Sequence, residues 1–208
     1  MRIISGPKDI ENKSFDIIGK YLNGSKIPLP ERNVVRRVIH ASADFHYAKD
    51  LILSKTAVKE GVKAIKKGKN IIVDASMVEA GINKKILSRF GGQVICCIND
   101  KDILDKSSKL NITRAALAMR KCSRMMNGAI IAIGNAPTAL FELCLLIESK
   151  KAHPALLIGI PVGFVGAKEA KRELRKLNVA YITNRSRKGG SSVAAAIVNA
   201  LLKIAQEK

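Results

Sequence analysis

The sequence has no tryptophan, and aromatic side chains make up only 4% of its 208 residues. Modules that bind single-stranded nucleic acid stack bases on aromatic rings, and this chain offers few such platforms. Acidic residues are also scarce, because 17 Asp and Glu stand against 37 Lys and Arg, a formal net charge of +20. This charge predicts attraction to an anion, which could be nucleic acid, an acidic membrane surface or a polycarboxylate ligand. Many of the lysines are expected on solvated helix faces, so charge alone does not choose among these.

Metal-binding and nucleotide-binding patterns are missing from the sequence as well. The four cysteines, Cys96, Cys97, Cys122 and Cys144, lie in apolar segments, and the chain has no CxxC or HxxxH spacing. We therefore expect reduced core cysteines and no protein-bound metal. Neither GxxxxGK[ST] nor GxGxxG occurs. We therefore predict that the chain uses no cofactor.

Long apolar runs are also lacking. Residues 129–147 come closest to the about 18 apolar residues of a membrane helix, but Asn135, Pro137 and Glu142 interrupt them. The first residues do not have the apolar core and cleavage site of a secretory signal. We therefore expect no membrane segment and a cytoplasmic location. The length and the 47% hydrophobic content predict one domain over residues 1–208.

Short apolar runs alternate with amphipathic stretches, which is typical of α/β proteins with a parallel sheet between two layers of helices. Five parallel strands are predicted, at residues 70–74, 93–98, 129–134, 155–160 and 179–183. Helices are predicted at residues 9–22, 29–43, 54–67, 77–89, 111–126, 137–149, 167–177 and 191–205, the first two forming an N-terminal helical extension. Ligands of such sheets bind at the carboxyl ends of the strands, so the segments that follow the strands are the candidate site.

Three of these segments have residues suited to binding. Residues 134–138 (GNAPT) open a helix whose backbone N–H groups could face an anion, although ordinary helix capping explains them equally well. Residues 159–166 (GIPVGFVG) are predicted to lie against something flat and apolar, or against a neighbouring loop. Residues 185–192 place Arg185 and Arg187 before a helix N-terminus, an arrangement that suits carboxylates or phosphates.

One histidine lies in the predicted N-terminal extension. His40 is three residues after Arg37, so the two side chains share a helix face. Its neighbours are Val38, Ile39 and Ala41, and a histidine in such surroundings is, taken alone, more often a hydrogen-bonded core residue than a catalyst.

Four segments together closely resemble the precorrin-8X methylmutase family: residues 38–42 (VIHAS), 134–141 (GNAPTALF), 161–167 (PVGFVGA) and 187–191 (RKGGS). The resemblance spans nearly the whole chain, and residues 13–15 and 111–114 are similar as well. It implies a three-layer, flavodoxin-like fold with a five-stranded parallel sheet, and a homodimer with the active site near the subunit interface. Residues 42–44 (SAD) depart from the pattern, which bears on the metal status of the substrate and not on the reaction.

The reaction implied by this resemblance is an isomerisation in cobalamin biosynthesis. A methyl group moves from C-11 to C-12 of precorrin-8X or cobalt-precorrin-8, and the product is hydrogenobyrinic acid or cobyrinic acid. The resemblance makes His40 the catalytic residue and places Ser14 and Arg37 against the tetrapyrrole, while local chemistry adds Arg114, Arg185 and Arg187. The predicted substrate-binding residues are Ser14, Arg37, Thr113, Arg114, Arg185, Arg187, Gly189, Gly190 and Ser191.

We expect His40 to give a proton or hydrogen bond to a ring nitrogen beside the migrating centre, which would ease a [1,5]-sigmatropic shift without a methyl donor. Three alternatives stay open. A nucleic-acid-binding module is favoured by the pI of about 10.1. A methyltransferase that uses S-adenosylmethionine could share the fold, but the first predicted strand ends at Asp74 without a glycine-rich loop. The third alternative is a carrier that holds the corrinoid product.

Overall fold

The computed structural model of the chain describes residues 6–207. Within these residues the helices are α1 Pro7–Leu22, α2 Glu31–Ser42, α3 Tyr47–Asp50, α4 Ala57–Lys66, α5 Ser76–Gly81, α6 Lys84–Ser88, α7 Lys101–Leu110, α8 Arg114–Cys122, α9 Pro137–Glu148, α10 Ala167–Leu174 and α11 Ser191–Gln206. The strands are β1 Leu51–Leu53, β2 Ile71–Val73, β3 Val94–Ile95, β4 Ile130–Ile133, β5 Leu156–Gly159 and β6 Tyr181–Asn184. A 3-10 turn, Ser123–Met125, extends α8.

The six strands form one sheet in the order β1-β6-β5-β4-β2-β3. Strands β2 to β6 are parallel, whereas β1 is antiparallel to β6, with Leu51 opposite Asn184. All five predicted strands are present, but the prediction of a purely parallel five-stranded sheet is wrong. Strand β1 has only three residues, which is too short to show a strand period in the sequence.

The sheet separates two hydrophobic layers, because successive side chains of a strand point to opposite faces. Ile130 and Ala132 face the core formed with α1, α2, α4, α5 and α11. Ile131 and Ile133 face the core formed with α8, α9 and α10. The three-layer α/β arrangement predicted from the sequence is therefore present.

Between residues 76 and 126 the helices differ from the predictions in three places. Residues 77–89 form two short helices, α5 and α6, because Asn83 leaves the helical path and its Oδ1 accepts a hydrogen bond from the Ile86 amide at 3.0 Å. Residues 101–110 form α7, for which the sequence predicts no element. The predicted helix 111–126 begins only at Arg114, where the Thr113 side chain caps α8. Across residues 6–207, no helix has the length and apolar character that crossing a membrane requires.

Candidate active site

The turn after β4 is fixed by a buried carboxylate. Asp74, which follows β2 and is fully buried, accepts hydrogen bonds from the backbone N–H groups of Gly134, Asn135 and Ala136 at 2.9, 2.9 and 2.7 Å. The sequence predicts these three amides as donors to a bound anion. They donate instead to the protein's own Asp74 side chain, whose pKa is raised by burial against the opposing effect of the three hydrogen bonds. The hypothesis of a ligand site is therefore wrong for these three groups, and helix initiation explains the turn.

A polar cavity of about 380 Å³ lies beside this turn, between the ends of β2 and β4. Thr113 and Arg114 line it together with Ser76, Asn135 and Thr138. The hydroxyl of Thr113 donates to that of Thr138 at 2.8 Å, which joins the start of α8 to the turn after β4. The strand order reverses between β2 and β4, and ligands of doubly wound sheets gather at this switch point. Two predicted site residues therefore lie where the topology favours binding.

The segment after β6 carries the second group of predicted residues. Arg185 and Arg187 have exposed side chains, and Gly189 and Gly190 lead directly into α11 at Ser191. Gly189 has φ +150°, and a Cβ there would overlap the carbonyl oxygen of Ile160, so the position requires glycine. Strand β6 is two strands from β4. At about 4.8 Å per strand, roughly 10 Å separates the ends of these strands.

An apolar loop lies between these two groups, after β5. Phe164 and Val165 are 90% and 88% exposed. The amide of Gly163 donates to the Arg187 carbonyl at 3.2 Å, so this loop contacts the segment after β6. The sequence predicted either a flat apolar ligand or a neighbouring loop at this place. The structure shows the contact with the neighbouring loop and leaves the two large apolar side chains at the tip exposed.

His40 lies in the last turn of α2 and is half-buried. It lines a cavity of about 250 Å³. The other residues of this cavity are Ser14, Ile17, Ile18, Ile39, Ala43 and Phe45. The Ser14 hydroxyl donates to the Ile10 carbonyl at 2.8 Å, within α1. The structure thus brings two predicted site residues, Ser14 and His40, into one mostly apolar cavity.

Phe15 organises the basic residues around His40. The ring centroid of Phe15 is 4.8 Å from that of His40. The guanidinium carbons of Arg36 and Arg37 each lie 4.7 Å from the Phe15 centroid. Arg37 also donates to Glu11 Oε1 at 2.9 Å, and this hydrogen bond lowers the pKa of the Glu11 carboxyl. Arg37 lines a neighbouring small cavity, not the one that holds His40.

An ion pair joins the end of α2 to the segment after β6. Ala43 ends the helix in the left-handed conformation, and the Asp44 carboxylate then lies 2.6 Å from Lys188 Nζ. This hydrogen bond is the main reason that the pKa of Asp44 is lowered. Residues 42–44 therefore connect α2, which carries His40, to the segment after β6. Thr113 and Arg114 lie farther along the same sheet edge, with the helices of the opposite face.

Besides Asp74, two more buried charged residues at this edge were not predicted. Asp50 is 3% exposed and accepts hydrogen bonds from the segment after β6, and Lys171 of α10 is 1% exposed and donates to the same segment. The signal for Lys171 is in the sequence, because Ala167, Ala170 and Leu174 form a buried helical stripe on which Lys171 falls. Asp50 carries no such signal, since its position depends on the unpredicted strand β1.

In chemical terms, the carboxyl edge presents arginines, a lysine, hydroxyl groups and exposed apolar side chains over the ends of several strands. Such a surface suits a large flat ligand with carboxylates on its rim. Among residues 6–207, no three His, Cys, Asp or Glu side chains are grouped so that they could hold a metal ion.

Comparison with known proteins gives one consistent result. The family model for precorrin-8X methylmutase matches residues 9–204. A cobalt-precorrin-8 methylmutase of Priestia megaterium is 45% identical over 195 residues, which cover 94% of this chain and 87% of the relative. A precorrin-8X methylmutase of Pseudomonas aeruginosa is 39% identical over 194 residues, which cover 92% of this chain and 93% of the relative. A crystal structure of precorrin-8X methyl mutase from Thermus thermophilus superposes with a TM-score of 0.87 at 38% identity, covering 94% and 96% of the two chains.

Proposed function

The chain belongs to the precorrin-8X methylmutase family, and we propose which of its residues carry out the methyl shift that this family performs in cobalamin biosynthesis. It is an isomerase: a methyl group leaves C-11 and bonds to C-12 of precorrin-8X or cobalt-precorrin-8, and hydrogenobyrinic acid or cobyrinic acid results. Substrate and product have the same atoms, so no methyl donor is consumed. The observation that carries this assignment is similarity along nearly the whole chain, in sequence and in fold.

We propose that His40 handles the proton in this reaction. A proton or hydrogen bond given to the ring nitrogen next to the migrating centre draws electron density through the conjugated system and eases the shift. The proton returns to the imidazole at the end, because the product is an isomer of the substrate. The half-buried position of His40 in a cavity with Ser14 supports this role, since one side of the ring is held by Phe15 while the cavity leaves room for a ligand.

The carboxylates on the rim of the substrate are proposed to meet the basic groups of the sheet edge. Arg185 and Arg187 belong to the segment whose Lys188 is paired with Asp44 at the end of α2, and Arg114 lies near the switch point of the sheet. Thr113, Gly189, Gly190 and Ser191 complete the proposed surface with hydroxyl and backbone groups. The strand ends beside the two basic groups are roughly 10 Å apart, which favours a ligand as broad as a tetrapyrrole over a small anion.

We further propose that the protein works as a homodimer with its active site near the subunit interface. In the single chain the cavity that holds Ser14 and His40 is open to solvent. A two-fold partner would cover this open side and shield the bound substrate from water. The exposed apolar tip of the loop after β5 supports either this contact or direct packing on the substrate.

The finer description of the fold is also a proposal. If the five parallel strands are numbered along the chain, their order in the sheet is 2-1-3-4-5, which is the flavodoxin-like order. Strand β1 is added at one edge of the sheet. We propose that residues 1–208 act as one such domain in the cytoplasm, since the four cysteines are free, as is usual in reducing compartments.

The assignment is tested by mixing a trace of protein with excess precorrin-8X or cobalt-precorrin-8, without S-adenosylmethionine, and recording absorbance over time. We expect many turnovers with at least one of the two substrates. Conversion limited to one equivalent of protein would favour the carrier, and conversion only with S-adenosylmethionine would favour a methyltransferase. Strong, salt-sensitive binding of random DNA without conversion would favour the nucleic-acid-binding alternative.

A further inference from the structure

The loop that follows β6 presents three basic side chains to solvent. Arg185, Arg187 and Lys188 are exposed, with Ser186 between them, and we call residues 185–188 the basic loop. Like charges repel one another, and long basic side chains lose conformational freedom when they bind, so a loop of this composition has little intrinsic reason to keep one shape. Two of these side chains have partners outside the loop, since Lys188 is paired with Asp44 and Arg185 donates to the Lys49 carbonyl at 2.7 Å, and buried groups beneath the loop hold its backbone.

A buried anion holds one side of the basic loop. Asp50 Oδ1 accepts hydrogen bonds from the backbone amides of Arg185 and Ser186, both at 3.0 Å. Asp50 Oδ2 accepts from the Ser186 hydroxyl at 2.6 Å and from the Asn184 side chain at 2.7 Å. Burial alone would raise the pKa of Asp50, but these donors bring it below its ordinary value, so the group is a carboxylate at neutral pH.

A buried cation, the ammonium group of Lys171, holds the other side of the basic loop. Lys171 Nζ donates to the backbone carbonyls of Ser186 at 2.9 Å and Lys188 at 2.7 Å. Lysine is almost never fully buried unless it is paired, and an apolar residue of similar size at this position would avoid the cost of desolvating a charge. Burial lowers the pKa of Lys171 to about 8, with Asp50 acting in the opposite direction, so the ammonium form persists at neutral pH.

These two ions hold the backbone of the basic loop by its amides and by its carbonyls. We propose that Asp50 and Lys171 fix the basic loop in the conformation that binds the carboxylates of the substrate, and that Lys171 is a positioning residue that acts through Arg185 and Arg187. The inference rests on the proposed function, because it assumes that the basic loop contacts the tetrapyrrole. The physical effect is preorganisation. The conformational entropy of the loop is lost when the protein folds, so binding of the substrate does not include this cost.

The test replaces Lys171 with methionine, which keeps the apolar stem and removes the ammonium group. Arg172→Ala is the matched control, because Arg172 is the next residue of α10, is exposed, and also loses one positive charge. We expect Lys171→Met to raise KM by about ten- to a hundredfold with kcat within about twofold, and Arg172→Ala to change neither. Hydrogen exchange of the amides of residues 184–190 should be faster in Lys171→Met.

Binding of uroporphyrin, a flat tetrapyrrole with a rim of carboxylates, gives a readout that does not need turnover. A titration followed by fluorescence should show a Kd raised by a similar factor in Lys171→Met. If wild-type protein fails to isomerise the precursor, the proposed function fails, while this titration still decides the inference. Unchanged KM and Kd despite faster exchange would overturn it, and so would a loss of kcat with KM unchanged.

A second variant covers the case in which Lys171→Met does not fold. Ser186→Ala removes the hydroxyl that donates to Asp50 and leaves both buried ions in place. It should raise the Kd for uroporphyrin in the same direction by a smaller factor. A Kd equal to that of wild-type protein would show that the conformation of the basic loop does not matter for binding.

Discussion

Replacing Asp50 with asparagine should cost more stability than removing any exposed charge of the sheet edge. Each oxygen of the Asp50 carboxylate accepts two hydrogen bonds. In asparagine an NH₂ group replaces one of these oxygens, so it faces at least one donor of the basic loop and cannot accept its hydrogen bond. A hydrogen bond to a charged group contributes about 1.5–3 kcal/mol, and the donor left behind is buried. We therefore expect Asp50→Asn to lower the free energy of unfolding by about 2–5 kcal/mol.

Urea denaturation at pH 7 measures this loss as a shift of the midpoint at unchanged m value. Glu173→Gln is the control, because Glu173 forms an exposed ion pair with Lys176 on the surface, worth at most about 1 kcal/mol. The sign of the pH effect follows from the lowered pKa of Asp50: its contribution is complete above the unfolded pKa and is lost as pH falls through the folded pKa. The gap between wild type and Asp50→Asn should therefore narrow in acid. A loss under about 1 kcal/mol at pH 7, or a difference in stability that widens in acid, would show that the Asp50 carboxylate does not hold the loop as described.

Three further substitutions test other parts of the site. His40→Ala should lower kcat by at least about a hundredfold in the absorbance assay with KM little changed, and an unchanged kcat would remove His40 from the mechanism. Phe164→Ser should leave the urea midpoint unchanged, since the side chain is 90% exposed, and should raise KM or weaken the dimer; no change in either property would show that the loop tip has no partner. Gly189→Ala should destabilise the fold by about 1–3 kcal/mol, because a Cβ would overlap the Ile160 carbonyl. Gly91→Ala, at φ +86° with open space around the Cβ, is its control and should cost less in the same denaturation assay.

The sequence predicts the layers of this fold well because its central strands are fully buried. Residues such as Ile130–Ile133 are apolar without interruption, and breakers such as Gly134 and Asn135 mark their ends. Strand β1 was not predicted because Leu51–Leu53 is a strand only through its long-range pairing with β6. Helix α7 was not predicted because most of its side chains are polar and Ile103 is its single buried residue.

Site residues that belong to continuous motifs could be proposed from the sequence, and their roles stay predictions. His40, Arg187 and Gly189 lie in segments that resemble the family, and the structure places all three at the same end of the sheet, around the Asp44–Lys188 ion pair. The buried ions were not predictable in the same way. Asp50 and Lys171 are 121 positions apart in the sequence and are connected only through the backbone of the basic loop. Asp74 is about 60 positions before the three backbone amides, Gly134 to Ala136, that donate to it. Such contacts depend on strand order, which a single sequence does not display.

The same topology explains why one interpretation of the GNAPT turn was wrong. From sequence, three free amides at a helix start look ready for an external anion. The parallel pairing of β2 with β4 puts Asp74 directly beside them, and its carboxylate takes all three. The external anion is therefore expected at the basic loop and near Arg114 instead.

The most direct measurement follows the methyl group itself. Precorrin-8X or cobalt-precorrin-8 labelled with ¹³C in the methyl group on C-11 would be incubated with a trace of the protein, without S-adenosylmethionine, and examined by NMR. We expect the label to appear on C-12 over many turnovers, and His40→Ala to slow this transfer by at least about a hundredfold. Label that stays on C-11 with both substrates, or that transfers equally fast without His40, would contradict this expectation.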